Sequence, residues 1–210
     1  GDVSSSAPAL GPDGTVYVGD DSGTFYAVNA DGTEKWRKSW CGAIRSAAAV
    51  ADDGVIYVMG VVGYPWDSVE TYLWAFAPDG TETGRLLLPE GHVGSALPLA
   101  IAFDGTLYLG TTHYSAEGSQ PYLFAITPAP SMAVKWSLAI SGFLQSPPVV
   151  GGDGTVYVAI YEKAVVALAL DGTEKWRFAT DARVLSNLSI GTDQTLYVGC
   201  SGGKVYAIGP

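Results

Sequence analysis

The chain has 210 residues, of which 48% are hydrophobic, and it contains 27 glycines and 12 prolines. This balance fits many short strands joined by turns and excludes a disordered or coiled-coil protein. The formal net charge is −10 with only 11 Lys and Arg, which argues against a nucleic-acid-binding surface because phosphate recognition needs clustered basic side chains. No apolar run reaches the roughly 20 residues that a membrane-spanning helix needs.

One short phrase, Asp-Gly-Thr followed by an aliphatic residue, Tyr and a second aliphatic residue, occurs five times with small variations. Its tyrosines are Tyr17, Tyr57, Tyr108, Tyr157 and Tyr197, so the period is 40 to 51 residues. Asp-Gly favours a tight turn, and the β-branched and aromatic run after it favours a strand. A period of this length is typical of propeller blades and solenoid units. We therefore predict one domain over 1–210, with repeats at about 4–40, 44–88, 93–140, 144–180 and 184–210.

Each repeat aligns into four strand segments, A to D. Segment A begins with a serine and is otherwise small, which suits the crowded innermost strand of a blade. Segment C keeps one alanine at the same place in every copy, and this predicts a close approach of an adjacent sheet. The five alanines are Ala27, Ala75, Ala125, Ala167 and Ala207.

Segment D carries a tryptophan in three copies, Trp36, Trp136 and Trp176, and we interpret each ring as a wedge between neighbouring blades. The second copy has Gly84 instead, and we expect Trp74 to fill part of the space. The fold class predicted is all-β, a β-propeller of about five four-stranded antiparallel blades with the last blade lacking its outer strand. We expect a closed ring, since uncovered edge strands invite aggregation. A segment of a larger propeller is the alternative.

These features together resemble the PQQ-like β-propeller repeat family. The resemblance rests on the period, the Asp-Gly-Thr-x-Tyr-Val-Gly phrase and the Asp-Gly-Thr-Glu-Lys-Trp turn at 31–36 and again at 171–176, and it covers essentially the whole chain. That family includes quinoprotein dehydrogenases, an outer-membrane assembly scaffold lipoprotein and many surface proteins. The resemblance therefore implies the fold and an extracytoplasmic location (periplasmic, cell-surface or secreted), and it leaves the function open.

Two connections, 60–72 and 110–122, are much longer than the equivalent turn at 20–23. They belong to adjacent repeats and to the same face of a propeller, and repeats usually carry such enlarged loops on the binding face. Aromatic rings with a few polar groups suit a sugar or a peptide. Alternatively, the rings pack the two loops onto each other. The candidate ligand-binding residues are Tyr64, Trp66, Tyr72, His113, Tyr114, Tyr122, Trp40, His92 and Arg45.

The sequence predicts no catalytic residue, no metal site and no cofactor. The two histidines lack a supporting spacing, and the repeated aspartates are interpreted as turn formers because calcium needs six to eight converging oxygens. We therefore expect a non-catalytic scaffold that binds a protein or glycan partner and is a monomer if the ring is closed.

The alternative functions are a quinone (PQQ)-dependent oxidoreductase and a structural segment. The quinone enzymes of the resembled family have eight blades, a calcium ion and a vicinal cysteine pair, whereas Cys41 and Cys200 are far apart in this sequence. A disulfide between these two cysteines would join an early repeat to the last one. That pairing needs their Cα atoms within about 7 Å, which the sequence leaves open.

Overall fold

The computed structural model describes residues 6–40, 42–63, 70–94 and 97–209. These residues contain no helix, and they form five antiparallel sheets, one for each repeat. None of the described segments provides a membrane-spanning helix. The architecture confirms the predicted all-β class with five blades.

The strands follow the four predicted segments closely. The first sheet contains, in order, β1 (Ala9–Leu10), β2 (Val16–Gly19), β3 (Thr24–Val28) and β4 (Glu34–Ser39). The second contains β5 (Gly42–Ala43), β6 (Ala49–Val50), β7 (Ile56–Val62), β8 (Glu70–Phe76) and β9 (Glu82–Leu87), with both β5 and β6 paired to β7. The third contains β10 (His92–Gly94), β11 (Ala100–Ile101), β12 (Leu107–Ser115), β13 (Gly118–Ile126) and β14 (Val134–Ala139), with both β10 and β11 paired to β12.

The last two sheets are plainer. The fourth contains β15 (Val149–Val150), β16 (Val156–Ile160), β17 (Ala164–Leu168) and β18 (Glu174–Ala179), and the fifth contains β19 (Ser189–Ile190), β20 (Leu196–Gly199) and β21 (Val205–Ile208). Among the described residues the fifth sheet has three strands, and the lack of an outer strand in this blade stays a prediction.

In the first and fourth sheets the alanine of segment C lies between two aromatic rings of its own sheet. Ala27 is paired with Tyr17 on one side and with Trp36 on the other, and the two rings approach to 5.8 Å between centroids. The fourth sheet repeats the row with Tyr157 and Trp176 at 5.7 Å. A larger side chain between the rings would separate them, so contacts within these two sheets already explain the small residue, and the close approach of an adjacent sheet stays a prediction.

Two tryptophans act as the predicted wedges. The Trp36 indole donates a hydrogen bond from Nε1 to the carbonyl oxygen of Pro78 in the second sheet, at 3.0 Å. The indole of Trp136 donates in the same way to Leu170 of the fourth sheet, at 2.7 Å. Each ring thus joins one repeat to the C-to-D turn of the next repeat.

The expectation that Trp74 fills part of the space beside Gly84 is wrong. A Cβ atom at Gly84 would meet the side chain of Met132 and the carbonyl oxygen of Pro130, so the segment around residues 127–133 fills this space. Gly84 is paired with Ala75, whereas Trp74 is paired with Arg85. Because successive strand residues face opposite sides, the Trp74 ring points away from the gap.

The Asp-Gly phrases form tight turns, as predicted. In the first repeat Gly14 has φ of 80°, and the Asp13 carboxylate accepts a hydrogen bond from the Thr15 amide at 3.0 Å. Lys35 of β4 also reaches Asp13, at 2.9 Å, and this hydrogen bond holds the pKa of Asp13 well below its usual range. Each aspartate thus serves its own turn.

Contacts divide the chain into two compact units. One comprises Gly1–Leu99, Thr111–Ser119 and Thr127–Ala133, and the other comprises Ala100–Gly110, Gln120–Ile126 and Val134–Pro210. Each unit has its own apolar core. The single domain over 1–210 stays a prediction.

Candidate functional site

Most of the described residues in the two predicted long loops lie in strands, which corrects the sequence interpretation. Strand β7 continues to Val62 and β12 to Ser115, and β13 begins at Gly118. The segment that precedes each repeat adds a short strand: Ala43 pairs with Val61, and His92 pairs with His113. The Val and Thr residues in these stretches favour extended backbone. The added strands β5 and β10 supply pairing partners for the outer edges of β7 and β12.

We call these extensions ribbon 1 and ribbon 2. Ribbon 1 comprises β5, residues 59–62 of β7 and residues 70–73 of β8, and ribbon 2 comprises β10 with residues 111–119 of the β12–β13 hairpin. Both ribbons lie in the first compact unit. The predicted residues Tyr64 and Trp66 lie outside the described residues.

Ribbon 2 brings the two histidines together. Their ring centroids are 4.9 Å apart, and Nδ1 of His92 lies 3.0 Å from the Thr111 hydroxyl oxygen. His92 is buried, whereas His113 is half-buried. Burial lowers the pKa of His92, and the nearby His113 lowers it further. His92 is therefore a neutral hydrogen-bonding side chain at neutral pH.

A buried threonine of ribbon 1 holds ribbon 2 in place. The Thr71 hydroxyl accepts a hydrogen bond from the Gly94 amide at 3.3 Å, and its carbonyl oxygen accepts one from the Leu88 amide at 2.9 Å. A Cβ atom at Gly94 would lie 2.7 Å from the Met59 sulfur. The absence of a side chain at Gly94 thus lets β10 approach the second sheet closely.

Tyr72 of ribbon 1 belongs to a stack of three aromatic rings with Trp74 and Trp40. Trp74 lies in the middle, with Trp40 at 4.4 Å and Tyr72 at 5.4 Å between centroids, and both pairs are stacked. Trp74 is buried and the outer two rings are half-buried. The Tyr72 hydroxyl donates to Glu70 at 3.0 Å, and this bond raises the pKa of Tyr72.

The candidate residues thus form two groups rather than one. Tyr72 and Trp74 occupy alternate positions of β8 from Thr71, so the aromatic stack and the histidine pair lie on opposite faces of that strand. Sequence reasoning missed Thr71 and Thr111 because a threonine at a strand position carries no signal of burial. It missed Trp74 because that residue was assigned to the Gly84 gap.

Tyr114 is a predicted site residue that is 60% exposed. Its amide donates to the Gly91 carbonyl oxygen at 2.9 Å, which fixes the backbone of ribbon 2 beneath the ring. The hairpin then turns at Ser115, whose hydroxyl accepts from the Glu117 amide at 3.3 Å. An exposed tyrosine on paired strands is a rigid, amphipathic contact residue.

The remaining predicted residues lie elsewhere. Tyr122 belongs to the second compact unit, where its ring lies 6.3 Å from that of Phe124. Arg45 forms an exposed ion pair with Asp21 at 3.2 Å. Neither residue is shown to join the two groups on the ribbons.

The described residues offer little for metal or thiol chemistry. No group of three or more His, Cys, Asp or Glu within them is placed to hold a metal ion. Cys200 is a buried free thiol, and Cys41 lies outside the described residues. The ribbons therefore present aromatic, hydroxyl and imidazole groups, which suit binding by stacking and hydrogen bonding.

Comparisons with known proteins agree on the fold. A family model described as outer membrane protein assembly factor BamB matches residues 2–80 and 70–210. The crystal structure of BamB from Moraxella catarrhalis is 20% identical with a TM-score of 0.70, and the match covers 97% of this chain and 58% of that one. The chain thus spans little more than half the length of that BamB. A comparison with curated protein sequences found no significant match.

Two further solved structures are similar. BBS1N in complex with ARL6DN is 16% identical with a TM-score of 0.62, covering 96% of this chain and 63% of that one. A gluconolactonase from Xanthomonas campestris is 16% identical with a TM-score of 0.58, covering 97% and 71%. Identities this low show the shared β-propeller fold alone.

Proposed function

Since the chain belongs to the family of outer membrane protein assembly factor BamB, we propose that it is a non-catalytic scaffold that binds a protein partner through ribbons 1 and 2. The observation that carries this proposal is ribbon 2, an added three-stranded extension that presents Tyr114 to solvent on a hydrogen-bonded frame. Interface energy concentrates in a few aromatic or arginine anchors held on rigid backbone.

The neighbours support a protein as the partner. The BBS1N structure is a complex with another protein, and the name of the matching family refers to protein assembly. A glycan is the second class that the sequence predicted, and the same aromatic rings would stack on sugar faces. Family membership also supports a site of action outside the cytoplasm, in the periplasm, at the cell surface or after secretion.

The chemistry of the ribbons supports binding without catalysis. The candidate general base, His92, has Nδ1 at hydrogen-bond distance from Thr111 and is buried beside His113. The exposed groups of ribbon 2 include the Tyr114 phenol, the Ser115 hydroxyl and the Glu117 carboxylate, which suit hydrogen bonding to a partner. The likeness to a gluconolactonase concerns the fold and supplies no reaction for these residues.

Affinity capture tests the proposal. The tagged wild-type chain is incubated with a detergent extract of the source organism's cell envelope, and captured proteins are quantified by mass spectrometry. The main captured protein is then purified, and its Kd is measured by calorimetry. We expect Tyr114→Ala to weaken binding at least tenfold, because loss of an interface anchor costs more than about 1.4 kcal/mol.

Phe103→Ala is the matched control. Phe103 is a fully exposed aromatic residue in a turn of the same third repeat, remote in the strand from ribbon 2, and its loss should leave both capture and the melting temperature unchanged. Equal losses for the two variants, or no loss for Tyr114→Ala, would contradict the proposed surface. Binding on a glycan array that depends on Tyr114, with no protein captured, would replace the protein partner by a glycan.

A further inference from the structure

An arginine and a tyrosine connect the fourth and fifth repeats within the second compact unit. Nη1 of Arg183 donates a hydrogen bond to the Tyr161 hydroxyl oxygen at 2.9 Å. The guanidinium carbon lies 5.0 Å from the centroid of the Tyr161 ring. Arg183 is exposed and Tyr161 is half-buried. The tyrosine therefore positions the guanidinium, and its hydroxyl uses one of the five N–H donors.

Arg183 forms no ion pair within the described residues, which sets it apart from most cations of this chain. Eight of the eleven Lys and Arg side chains form an ion pair there. The acidic side chains closest to the pair in sequence have other partners: Glu162 accepts from the Phe143 amide at 2.9 Å, and Asp181 pairs with Lys204. A positioned arginine without a carboxylate partner is ready to bind a negative group of a ligand.

The junction of the first and second repeats shows a partner for an arginine in this connection. Arg45 pairs there with Asp21 at 3.2 Å. Arg45 and Arg183 lie one and three residues before the serine that opens segment A, and Asp21 and Tyr161 both lie four residues after the tyrosine of the repeated phrase. The fourth repeat thus has a tyrosine where the first has the neutralising carboxylate. A carboxylate supplied by a ligand would restore the same ion pair.

An exposed phenylalanine of the fourth repeat lies beside the Tyr161 ring. Phe143 is 56% exposed, and its carbonyl oxygen accepts a hydrogen bond from the Tyr161 amide at 2.9 Å. The adjacent pair of the same two segments, Leu144 and Ile160, packs in the apolar core. Because successive residues of extended segments face opposite sides, Phe143 and Tyr161 face solvent together. An apolar ring thus accompanies the arginine.

We propose that Arg183, Tyr161 and Phe143 form a second binding site, which takes a peptide carboxylate next to an apolar side chain. The carboxylate accepts from the remaining donors of the Arg183 guanidinium, and the apolar side chain packs on the Phe143 ring. A carboxylate suits the site better than a phosphate, because one positioned arginine balances one negative charge and the chain has a net charge of −10. Ribbons 1 and 2 belong to the first compact unit, so this site is independent of the surface proposed above.

Titration of the nitrogen-15-labelled chain with short peptides, followed by NMR, tests the site. The probes are acetyl-Gly-Phe with a free terminal carboxylate, acetyl-Asp-Phe-amide with a side-chain carboxylate and acetyl-Asn-Phe-amide with neither. We expect a saturable shift of the Arg183 Nε–H signal with an acidic peptide and about tenfold weaker binding of the asparagine peptide. Comparison of the two acidic peptides identifies which carboxylate is preferred. The absence of a saturable shift with both acidic peptides overturns the proposal, and so does equal binding of the asparagine peptide.

Variants separate the site from general charge effects. Arg183→Gln should weaken binding of the acidic peptide about tenfold, and Arg183→Lys should lie between, because lysine keeps the charge and loses the planar fork. Arg85→Gln is the matched control, since Arg85 is exposed and paired with Glu82 at 3.5 Å, and it should bind as the wild type does. Tyr114→Ala should also retain binding, which distinguishes this site from ribbon 2. Melting temperatures show that the variants are folded, and equal losses for Arg85→Gln and Arg183→Gln would refute the assigned site.

Discussion

Met132 occupies, against Gly84, the place that a tryptophan occupies in three other repeats. A Cβ atom at Gly84 would lie 3.0 Å from the Met132 sulfur. The turn that carries Met132 is closed by a hydrogen bond from the Thr127 amide to the Ala133 carbonyl oxygen, whereas the first repeat closes its shorter turn between Asn29 and Thr33. The glycine in place of a tryptophan in the second repeat and the longer turn of the third repeat are therefore structurally complementary.

We expect Met132→Ala to destabilise the fold by about 1–2 kcal/mol, because a half-buried side chain leaves a partial cavity against Gly84. Gly84→Trp should destabilise by a similar or larger amount, since its ring needs the space that Met132 fills. Urea denaturation followed by tryptophan fluorescence measures both free energies of unfolding.

A double variant tests whether Met132 and Gly84 share one space. Combining Gly84→Trp with Met132→Ala should cost at least 1 kcal/mol less than the sum of the two single changes, because residues that share one space couple energetically. Additive losses would show that Met132 and Gly84 act independently. Substituting Met132 alone with Leu, which conserves volume, should cost less than the alanine change.

Two equivalent tyrosines should respond oppositely to loss of their hydroxyl groups. The Tyr57 hydroxyl accepts a hydrogen bond from the Ala129 amide at 3.2 Å, whereas the buried Tyr108 hydroxyl has no partner among the described residues. Tyr57→Phe leaves an amide unpaired and should cost about 1 kcal/mol. Tyr108→Phe removes an unpaired polar group and should be neutral or stabilising by up to about 1 kcal/mol.

Thermal unfolding of the two phenylalanine variants checks this contrast, and each serves as the other's control because they occupy the same position in neighbouring repeats. A loss of stability in Tyr108→Phe would mean that its hydroxyl has a partner in solution. Equal losses in both variants would contradict the assigned role of Ala129.

The repeat architecture was predictable because the same residue pattern recurs in five repeats. Tyr17, Ala27 and Trp36 lie in one row across the first sheet, and their recurrence at a fixed spacing averages out the ambiguity of any single strand. The residues that occur once were harder to place. Met132 fills a gap through a turn distant in sequence, and no local pattern indicates that contact.

The two elongated hairpins were predicted in position but not in form. The lengths of 60–72 and 110–122 marked the right hairpins, yet their continuation as strands depends on pairing with β5 and β10, which precede them in the chain. The grouping of His92 with His113 follows from that pairing. Two histidines 21 positions apart give no such indication before the register is known.

Lys163 adopts a backbone conformation that favours glycine. Its φ is 79°, and the equivalent turn positions in the first and fifth repeats are Gly23 and Gly203, with φ of 83° and 77°. A left-handed conformation costs a non-glycine residue about 1–2 kcal/mol, partly offset by the greater chain entropy that glycine loses on folding. Lys163→Gly should therefore stabilise the protein by about 0.5–1 kcal/mol.

Chemical denaturation of Lys163→Gly and Lys163→Ala separates backbone strain from loss of the lysine side chain. The alanine variant keeps the positive φ and should gain nothing. A comparable gain in both variants would assign the effect to the removed charge, and no gain in either would show that the turn is unstrained.

Acidification should destabilise the fold through His92. Burial, with a smaller contribution from His113, holds the pKa of His92 below the value of 6.5 that it has in the unfolded chain. Below pH 6.5 the unfolded state therefore binds more protons than the folded state. The free energy of unfolding consequently decreases as the pH is lowered from 6.5 to the lowered pKa of the folded state. At higher pH both states are neutral and this contribution to the pH dependence vanishes.

His92→Asn should flatten the pH dependence of stability below pH 6.5, because asparagine can keep a hydrogen bond to Thr111 and has no proton to gain. His113→Asn removes only the electrostatic part and should flatten it less. Urea titrations at half-unit intervals from pH 5 to pH 8 give the slopes. An unchanged slope in His92→Asn would show that His92 takes up its proton equally in both states, and ribbon 2 would then be open to water at the histidine pair.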